Sequence, residues 1–140
     1  MIQKSENINY LSWAIALSAM LISLIFSEIL NYPPCALCWY QRIFMYPLVF
    51  IIPTAIVIKD PKIHNYVAVL SFLGLIISGY HSLIYHEFIS ESLKVCTASL
   101  SCKTKQFELF GLISIPVMSF FSFLLIFILN LKGANHDKRN

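Results

Sequence analysis

One stretch decides the fold: ALCWYQRIFMYPLVFIIPTAIVI, residues 36 to 58. Its uncharged centre, residues 43 to 58, holds 16 residues, which is short of the roughly 17–25 that a helix needs to cross a bilayer. The helix becomes long enough if it begins near Ala36, and Cys38 and Arg42 then belong to it. The sequence therefore predicts a membrane-spanning helix over residues 36 to 58.

Other apolar stretches of spanning length lie on both sides of this segment. They are Leu11–Leu30, Tyr66–Tyr85 and Leu112–Leu131. Together the four spans predict an all-α integral membrane protein, folded as an up-down bundle in a single membrane domain over residues 1–140. A tail, residues 132–140, follows the last span.

The composition agrees with a membrane protein and excludes other classes. Hydrophobic residues make up 58% of the 140 residues, charged residues only 12%, and the mean hydropathy is +0.72. Soluble domains are about 45–50% apolar and about 25% charged. Disordered chains are polar and poor in aromatic residues. A net charge of +3, scattered along the chain, does not predict nucleic-acid binding, which needs a clustered basic face.

The distribution of lysine and arginine favours one orientation. Four spans place both termini on the same side, and the side richer in Lys and Arg is usually cytoplasmic. The terminal side would carry Lys4, Lys59, Lys62, Lys132, Lys138 and Arg139. The other side would carry Arg42, Lys94, Lys103 and Lys105. We therefore expect a multi-pass cell-membrane protein with cytoplasmic termini.

The cysteines support this orientation independently. All four, Cys35, Cys38, Cys96 and Cys102, fall in the two loops expected to face outward, one pair in each loop. Disulfides persist in oxidising compartments outside the cytoplasm. The first pair is a C-x-x-C motif preceded by Pro33-Pro34, which favours a helix start just afterwards. Cys35 would then lie at a helix N-terminus, where backbone N–H groups and the helix dipole stabilise a thiolate.

The two pairs allow three interpretations. Redox activity is the first, because a thiolate is the nucleophile of disulfide exchange. Structural bridges are the second, although short loops gain least from closure. A four-cysteine zinc site is the third, and an oxidising compartment disfavours it.

Arg42 indicates a partner within the membrane. It lies four residues after Cys38 and seven after Cys35, so a helix presents all three on one face. A buried arginine in a bilayer is costly. It is either a snorkelling residue beside the aromatic pair Trp39-Tyr40, or a hydrogen-bond donor to a membrane-dissolved electron acceptor such as a quinone.

Two further polar residues are candidates for the same site. Glu28, at the outer end of the first span, is able to pair with Arg42 or to move protons, or else it faces water at the interface. His81 lies four residues before Tyr85 on the third span. Both can face the bundle interior near a quinone, and a purely structural interhelical histidine is the alternative.

These residues resemble the DsbB/BdbC family of bacterial disulfide bond formation proteins. The specific feature is Cys35-Ala-Leu-Cys38-Trp-Tyr-Gln-Arg42 at the start of the second span, with a second cysteine pair in the next outward loop. The chain resembles the short BdbC-type members in particular, and the resemblance extends from about Leu11 to Leu131. It includes the stretches Phe26-Ser-Glu-Ile29, Met45-Tyr-Pro-Leu48 and Gly111-Leu-Ile-Ser-Ile-Pro116.

The resemblance implies an enzyme that supports disulfide formation in exported proteins. Such an enzyme takes electrons from a reduced thioredoxin-like partner outside the membrane and passes them to a membrane quinone, menaquinone or ubiquinone, without a metal. Cys96 would form the mixed disulfide with the partner and Cys102 would resolve it. Cys35 and Cys38 would reoxidise that pair, with Cys38 nearest the quinone and Arg42 hydrogen-bonded to it. Only five residues separate Cys96 from Cys102, fewer than in the longer DsbB members.

Two other functions remain open at this point. A vitamin K epoxide reductase-like quinone reductase is one, since such proteins also combine a four-helix bundle with a C-x-x-C motif. Their motif lies late in the bundle, however, whereas the motif of this chain opens the second span. A membrane scaffold with structural disulfides is the other, and it would show no quinone-dependent thiol oxidation.

Overall fold

Four long helices form the protein in a computed structural model, which describes residues 2–31, 34–86, 88, 108–109 and 113–137. Helix α1 spans Ile2–Leu24 and continues as a π-helical segment, Ile25–Ile29. Helices α2, Ala36–Ile58, and α3, Ile63–Tyr85, follow. The two-residue strands β1, Glu108–Leu109, and β2, Ile113–Ser114, precede helix α4, Ile115–Asp137.

The predicted four-helix membrane bundle is confirmed. All four helices are long and apolar enough to cross a membrane, with spans at Glu6–Ile29, Ala36–Ile58, Ile63–Tyr85 and Ile115–Asn135. Around the bundle, α1 packs on α2, α2 on α3, α3 on α4 and α4 on α1, while the diagonal pair α2 and α4 barely meet. The C-terminal ends of α1 and α3 therefore lie with the N-terminal ends of α2 and α4, and we call this the cysteine end.

The helix bounds differ from the sequence expectation in places. Helix α2 has the expected bounds, but α3 starts before Tyr66 because a tight turn at Lys59–Lys62 leads directly into it. Helix α4 starts after Leu112, because Ile113 and Ser114 pair with β1 in an antiparallel ladder. It continues to Asp137, so the segment expected to form a tail begins within a helix.

Residue polarity is arranged for a lipid environment. Large apolar side chains face outward, such as Phe50 at 67% and Val57 at 80% exposure. The interior combines an apolar core with fully buried polar groups. The core includes Leu48, Ile52 and Phe123. Polar groups inside a membrane protein need partners within the bundle, and buried residues such as Gln41, His81 and Asn130 find them there.

The prolines of α2 show how a backbone group is satisfied without water. Pro53 has no N–H to donate to the carbonyl of Val49, four residues earlier. The indole Nε1 of Trp13 on α1 donates to that carbonyl instead, at 3.0 Å. The bond therefore replaces a missing helix bond and joins α1 to α2, as backbone polar groups in hydrocarbon require.

A second polar connection ties three helices at the opposite end. His64 Nδ1 on α3 lies 3.1 Å from Asn130 Oδ1 on α4, and Asn130 Nδ2 donates to Ser12 Oγ on α1 at 3.1 Å. All three residues are buried. Gly133, one turn after Asn130, lets α4 approach the His64 ring, since any side chain at that position would overlap it.

We predict that adding a methyl group at Gly74 destabilises the bundle. A Cβ at position 74 would overlap the ring of Phe123, which is 0% exposed. Overpacking costs about 1–3 kcal/mol, so Gly74→Ala should lower the thermal unfolding midpoint measured in detergent. Gly79→Ala is the matched control. Among the described residues, its Cβ would meet only Phe120, at an ordinary contact distance of 3.4 Å. Alanine also has a higher helix propensity than glycine, by up to about 1 kcal/mol, so Gly79→Ala should not lower the midpoint. Equal midpoints for the two variants would contradict the tight α3–α4 packing.

Candidate functional site

Cys35 caps the N-terminus of α2, as the sequence predicts. Its backbone is extended, and its sulfur accepts a hydrogen bond from the N–H of Cys38 at 3.3 Å. Serine or aspartate oxygens usually satisfy such an N–H, and here a thiol takes that place. The cap therefore holds the two sulfurs of the C-x-x-C motif close together on the first turn. Both are free thiols in this structure.

The environment of Cys35 favours its thiolate. The Cys38 side chain hydrogen-bonds to the Cys35 sulfur, and His81 adds a hydrogen bond and a favourable charge interaction. Together they lower the pKa of the Cys35 thiol from 9.0 to about 5, against the opposing effect of burial. A thiolate at neutral pH is the reactive form of cysteine in disulfide exchange.

His81 is fixed between Cys35 and Gln41. Its Nε2 lies 3.6 Å from the Cys35 sulfur, and its Nδ1 lies 2.8 Å from Gln41 Nε2. Both His81 and Gln41 are buried. The structure thus places His81 against the thiol, and the ring is not among the residues that line the neighbouring cavity. Tyr85, one turn further along α3, is also buried and stacks edge-on with His86.

A cavity of about 120 Å³, open on one side, lies at the cysteine end among α1, α2 and α4. Cys38, Arg42 and Tyr46 follow one another at four-residue intervals on α2, and all three line it. Ser23 from α1 and Met118 from α4 form other walls. The predicted common face of Cys38 and Arg42 therefore opens into a real space beside the dithiol, and Gln41 reaches the same space.

Among the described residues, α1 holds Arg42 and no acid does. Its Nε donates to Ser23 Oγ and its Nη2 to the Ser23 carbonyl oxygen, each at 2.9 Å. Its guanidinium also lies 5.5 Å from the centre of the Trp39 ring. These contacts use two of the five guanidinium N–H groups. Donor capacity therefore remains beside the cavity.

Glu28 does not join this cluster. It lies in the π-helical segment, is exposed, and accepts a weak hydrogen bond from Ser27 at 3.4 Å. Among the described contacts of Arg42, Glu28 does not appear. A π turn contains one residue more than an α turn, so the side chains after Ser23 point in directions that regular α-helical spacing does not predict.

Residues not singled out from the sequence complete the site. Gln41 is the first of them. Its amide lies on the same face of an otherwise apolar helix as Cys38 and Met45, and that position in the sequence already indicates a buried polar partner. Ser23 carried no signal. The hydroxyl of Tyr46 is buried and lacks a hydrogen-bond partner among the described residues. Such a group in a native protein calls for an explanation. Cys96 and Cys102 lie outside the described residues.

Comparison with known proteins gives the family. Residues 5–132 match the family described as disulfide bond formation protein DsbB. The chain belongs to the DsbB family. It is 49% identical over 119 residues to a probable disulfide formation protein C 2 of Bacillus cereus, covering 85% of each chain.

Other relatives agree with the DsbB assignment. The disulfide bond formation protein C of Bacillus subtilis is 42% identical over 130 residues, covering 91% of this chain and 94% of the relative. The probable disulfide formation protein C of Halalkalibacterium halodurans is 41% identical over 132 residues, covering 94% and 96%. No solved structure gives a significant match. DsbB membership and the apolar spans together identify a membrane disulfide oxidoreductase.

We predict that Cys35 reacts as a thiolate down to unusually low pH. Its pKa of about 5 lies below the ordinary 9.0, so the reactive anion persists above pH 5 and is lost only below it. In a reduced chain carrying Cys96→Ser and Cys102→Ser, the rate of Cys35 alkylation, followed by mass spectrometry, should level off above about pH 6.

The same assay has an internal control. His81→Ala should move the midpoint to higher pH, because the imidazole no longer stabilises the anion. His64→Ala removes the buried histidine at the opposite end of α3 and should leave the midpoint unchanged. A midpoint near 9 in the chain with His81 intact would contradict the thiolate assignment.

Proposed function

We propose that this protein reoxidises a reduced thioredoxin-like partner outside the membrane and delivers the electrons to a quinone dissolved in the bilayer. The observation that carries the proposal is the cavity in which Cys38, Arg42 and Tyr46 share one face of α2. One sulfur of the dithiol and the positive charge of Arg42 thus border the same cavity, which lies within the apolar spans. Relatives named as disulfide formation proteins support the thiol half of the reaction.

The cavity suits a quinone ring and its oxygens. Apolar side chains such as Met45 and Met118 provide surfaces for the ring. Two of the five guanidinium N–H groups of Arg42 are used in its described contacts with Ser23, and the Tyr46 hydroxyl, which has no hydrogen-bond partner among the described residues, lies one helical turn beyond it. When bound, a quinone would supply a two-electron, two-proton acceptor.

The thiol steps balance as two disulfide exchanges followed by one oxidation. The partner's two thiols become a disulfide as the proposed Cys96–Cys102 disulfide is reduced to two thiols. That pair is reoxidised when its electrons reduce the Cys35–Cys38 disulfide. The Cys35 and Cys38 thiols then lose two electrons and two protons to the acceptor in the cavity. Arg42 orients the acceptor, and its positive charge favours negative charge developing on a nearby oxygen.

We predict that all four cysteines are needed for turnover. Purified protein with a quinone and a reduced thioredoxin-like dithiol should oxidise the dithiol, with quinone consumption monitored by absorbance. Serine in place of Cys35, Cys38, Cys96 or Cys102 should abolish steady-state turnover, since each step of the relay needs both sulfurs of a pair. Wild-type rates for Cys96→Ser and Cys102→Ser would rule out the two-pair relay. Absence of any quinone-dependent oxidation would indicate a scaffold.

We predict that Arg42→Met raises the KM for quinone. A hydrogen bond from a charged donor is worth about 1.5–3 kcal/mol, which corresponds to a weakening of about tenfold or more. Arg42→Lys should rescue only partly, because lysine keeps the charge and loses the forked geometry. Lys59→Met, which removes a cation at the opposite end, is the control. Exchange between the two cysteine pairs in a single turnover without quinone should be unchanged by Arg42→Met. Intact quinone kinetics with slowed exchange would instead make Arg42 a thiolate stabiliser.

We also propose that the cysteine end faces outward and the termini face the cytoplasm. The excess of Lys and Arg on the terminal side and the oxidising chemistry of the dithiol support this orientation. In a chain lacking its native cysteines, Phe88→Cys, at 80% exposure, should react with a membrane-impermeant thiol reagent in intact cells. Asn65→Cys, exposed at the other end, should react only after the membrane is opened. The reverse pattern would invert the orientation.

A further inference from the structure

Three soft ligand atoms converge at the start of α2. The sulfurs of Cys35 and Cys38 and a ring nitrogen of His81 all lie within 4.8 Å of one another. Two thiolates and one imidazole form a donor set typical of zinc and of other thiophilic metals. Cys35 and His81 are buried and Cys38 is half-buried, so the three atoms are kept apart from most competing water.

The distances require little movement to accommodate a metal. Zinc binds sulfur at about 2.3 Å and imidazole nitrogen at about 2.0–2.1 Å with tetrahedral angles, which places the donor atoms about 3.5–3.8 Å apart. Cys35 Sγ and His81 Nε2 are already 3.6 Å apart. Starting from at most 4.8 Å, the remaining pairs need to close by about 1 Å.

Gln41 occupies the position of a supporting partner for a metal-bound histidine. It contacts His81 Nδ1 at 2.8 Å and so directs Nε2 towards the sulfurs. If the Gln41 amide turns over, its oxygen accepts a hydrogen bond from the Nδ1–H of His81, and the Nε2 lone pair of that tautomer is free for a metal. Such partners fix the tautomer and the ring orientation of histidine ligands.

We propose that the reduced protein binds one thiophilic divalent cation, Zn²⁺ or Cd²⁺, through Cys35, Cys38 and His81. Binding displaces the remaining thiol protons to solvent, and two thiolates neutralise the two charges of the ion without any change of oxidation state. The fourth position of the ion is open to water. Formation of the Cys35–Cys38 disulfide removes two ligands, so metal binding and turnover exclude one another. The inhibitory consequence rests on the proposed function, whereas the binding itself does not.

A cadmium titration tests the site directly. The reduced chain with Cys96→Ser and Cys102→Ser is titrated in detergent without quinone or partner, and the ultraviolet cadmium–thiolate band is followed. We expect one Cd²⁺ per chain and no band once Cys35 and Cys38 are oxidised. His81→Ala should weaken binding by about tenfold or more, and Gln41→Leu by about 10–100-fold. His64→Ala is the matched control and should bind as the parent does.

Several outcomes would overturn the proposal. They are no binding to the reduced parent chain, binding that survives oxidation, or equal affinity in His81→Ala and His64→Ala. The cadmium NMR chemical shift of the parent complex depends on whether the ligands other than the two sulfurs include a nitrogen or are all oxygens. The assignment of His81 as a ligand therefore does not depend on the folding of a variant. Because this readout needs no turnover, failure of the quinone assay would reject the proposed function and leave the metal site standing.

Zinc should also inhibit the full-length enzyme. Added to the reduced protein with all four cysteines, Zn²⁺ should stop quinone-dependent dithiol oxidation, and a chelator should restore it. Inhibition that persists after chelation would contradict a reversible three-ligand site. On protein preoxidised at both cysteine pairs, oxidation of the first equivalent of dithiol should not be affected by zinc, because the metal site does not exist until Cys35 and Cys38 have been reduced.

Discussion

The hydrogen bond from the Cys38 N–H to the Cys35 sulfur is the contact around which the site is built. It caps the first turn of α2 and holds the two sulfurs close together. The residues that follow reach different neighbours because of their spacing along α2 and the packing of α2 on α1 and α3. Gln41 faces α3 and its histidine, while Arg42 and Tyr46 face α1 and the cavity. The dithiol therefore lies where two sides of α2 meet, one packed against the histidine of α3 and the adjacent one open to the cavity.

Polar groups are separated along the bundle by an apolar layer. The cysteine end holds the thiols, His81, Gln41 and Arg42, and the opposite end holds the Ser12, His64 and Asn130 connection. Between them lie fully buried apolar residues such as Leu48, Val67 and Phe123. Each polar cluster is bonded within itself, as a low-dielectric interior requires. The chemistry at one end is therefore electrically separated from the helix connection at the other.

Much of the fold was accessible from the sequence because one solvent dominates it. A bilayer demands uninterrupted apolar length, and residues 36 to 58 satisfy that demand only if the helix starts directly after the prolines, which is where α2 starts. The position of Cys35 at the cap follows from the same reasoning. Apolar length alone misplaced the start of α4. Ile113 and Ser114 were expected to be helical, but they pair with β1 as a two-residue strand.

The site was less accessible, because it depends on how helices rotate against one another. Helical spacing places Arg42 on the face of Cys38, and both do line one cavity. No spacing within α3 shows that His81 points to Cys35, since the two are 46 residues apart and meet only through the α2–α3 packing. Ser23 and Glu28 show the same limit, because a local π turn changes which of them faces the bundle.

The π-helical segment Ile25–Ile29 also affects how this chain tolerates changes in length. A π turn contains one residue more than the α-helical ladder around it, so it behaves as an insertion already absorbed by the helix. Loss of one residue there returns the segment to α geometry and leaves Ser23 in place on α1. The same loss between Cys38 and Arg42 would turn every later residue of α2 by about 100° about its axis. Length variation is therefore permitted just before the dithiol and forbidden just after it.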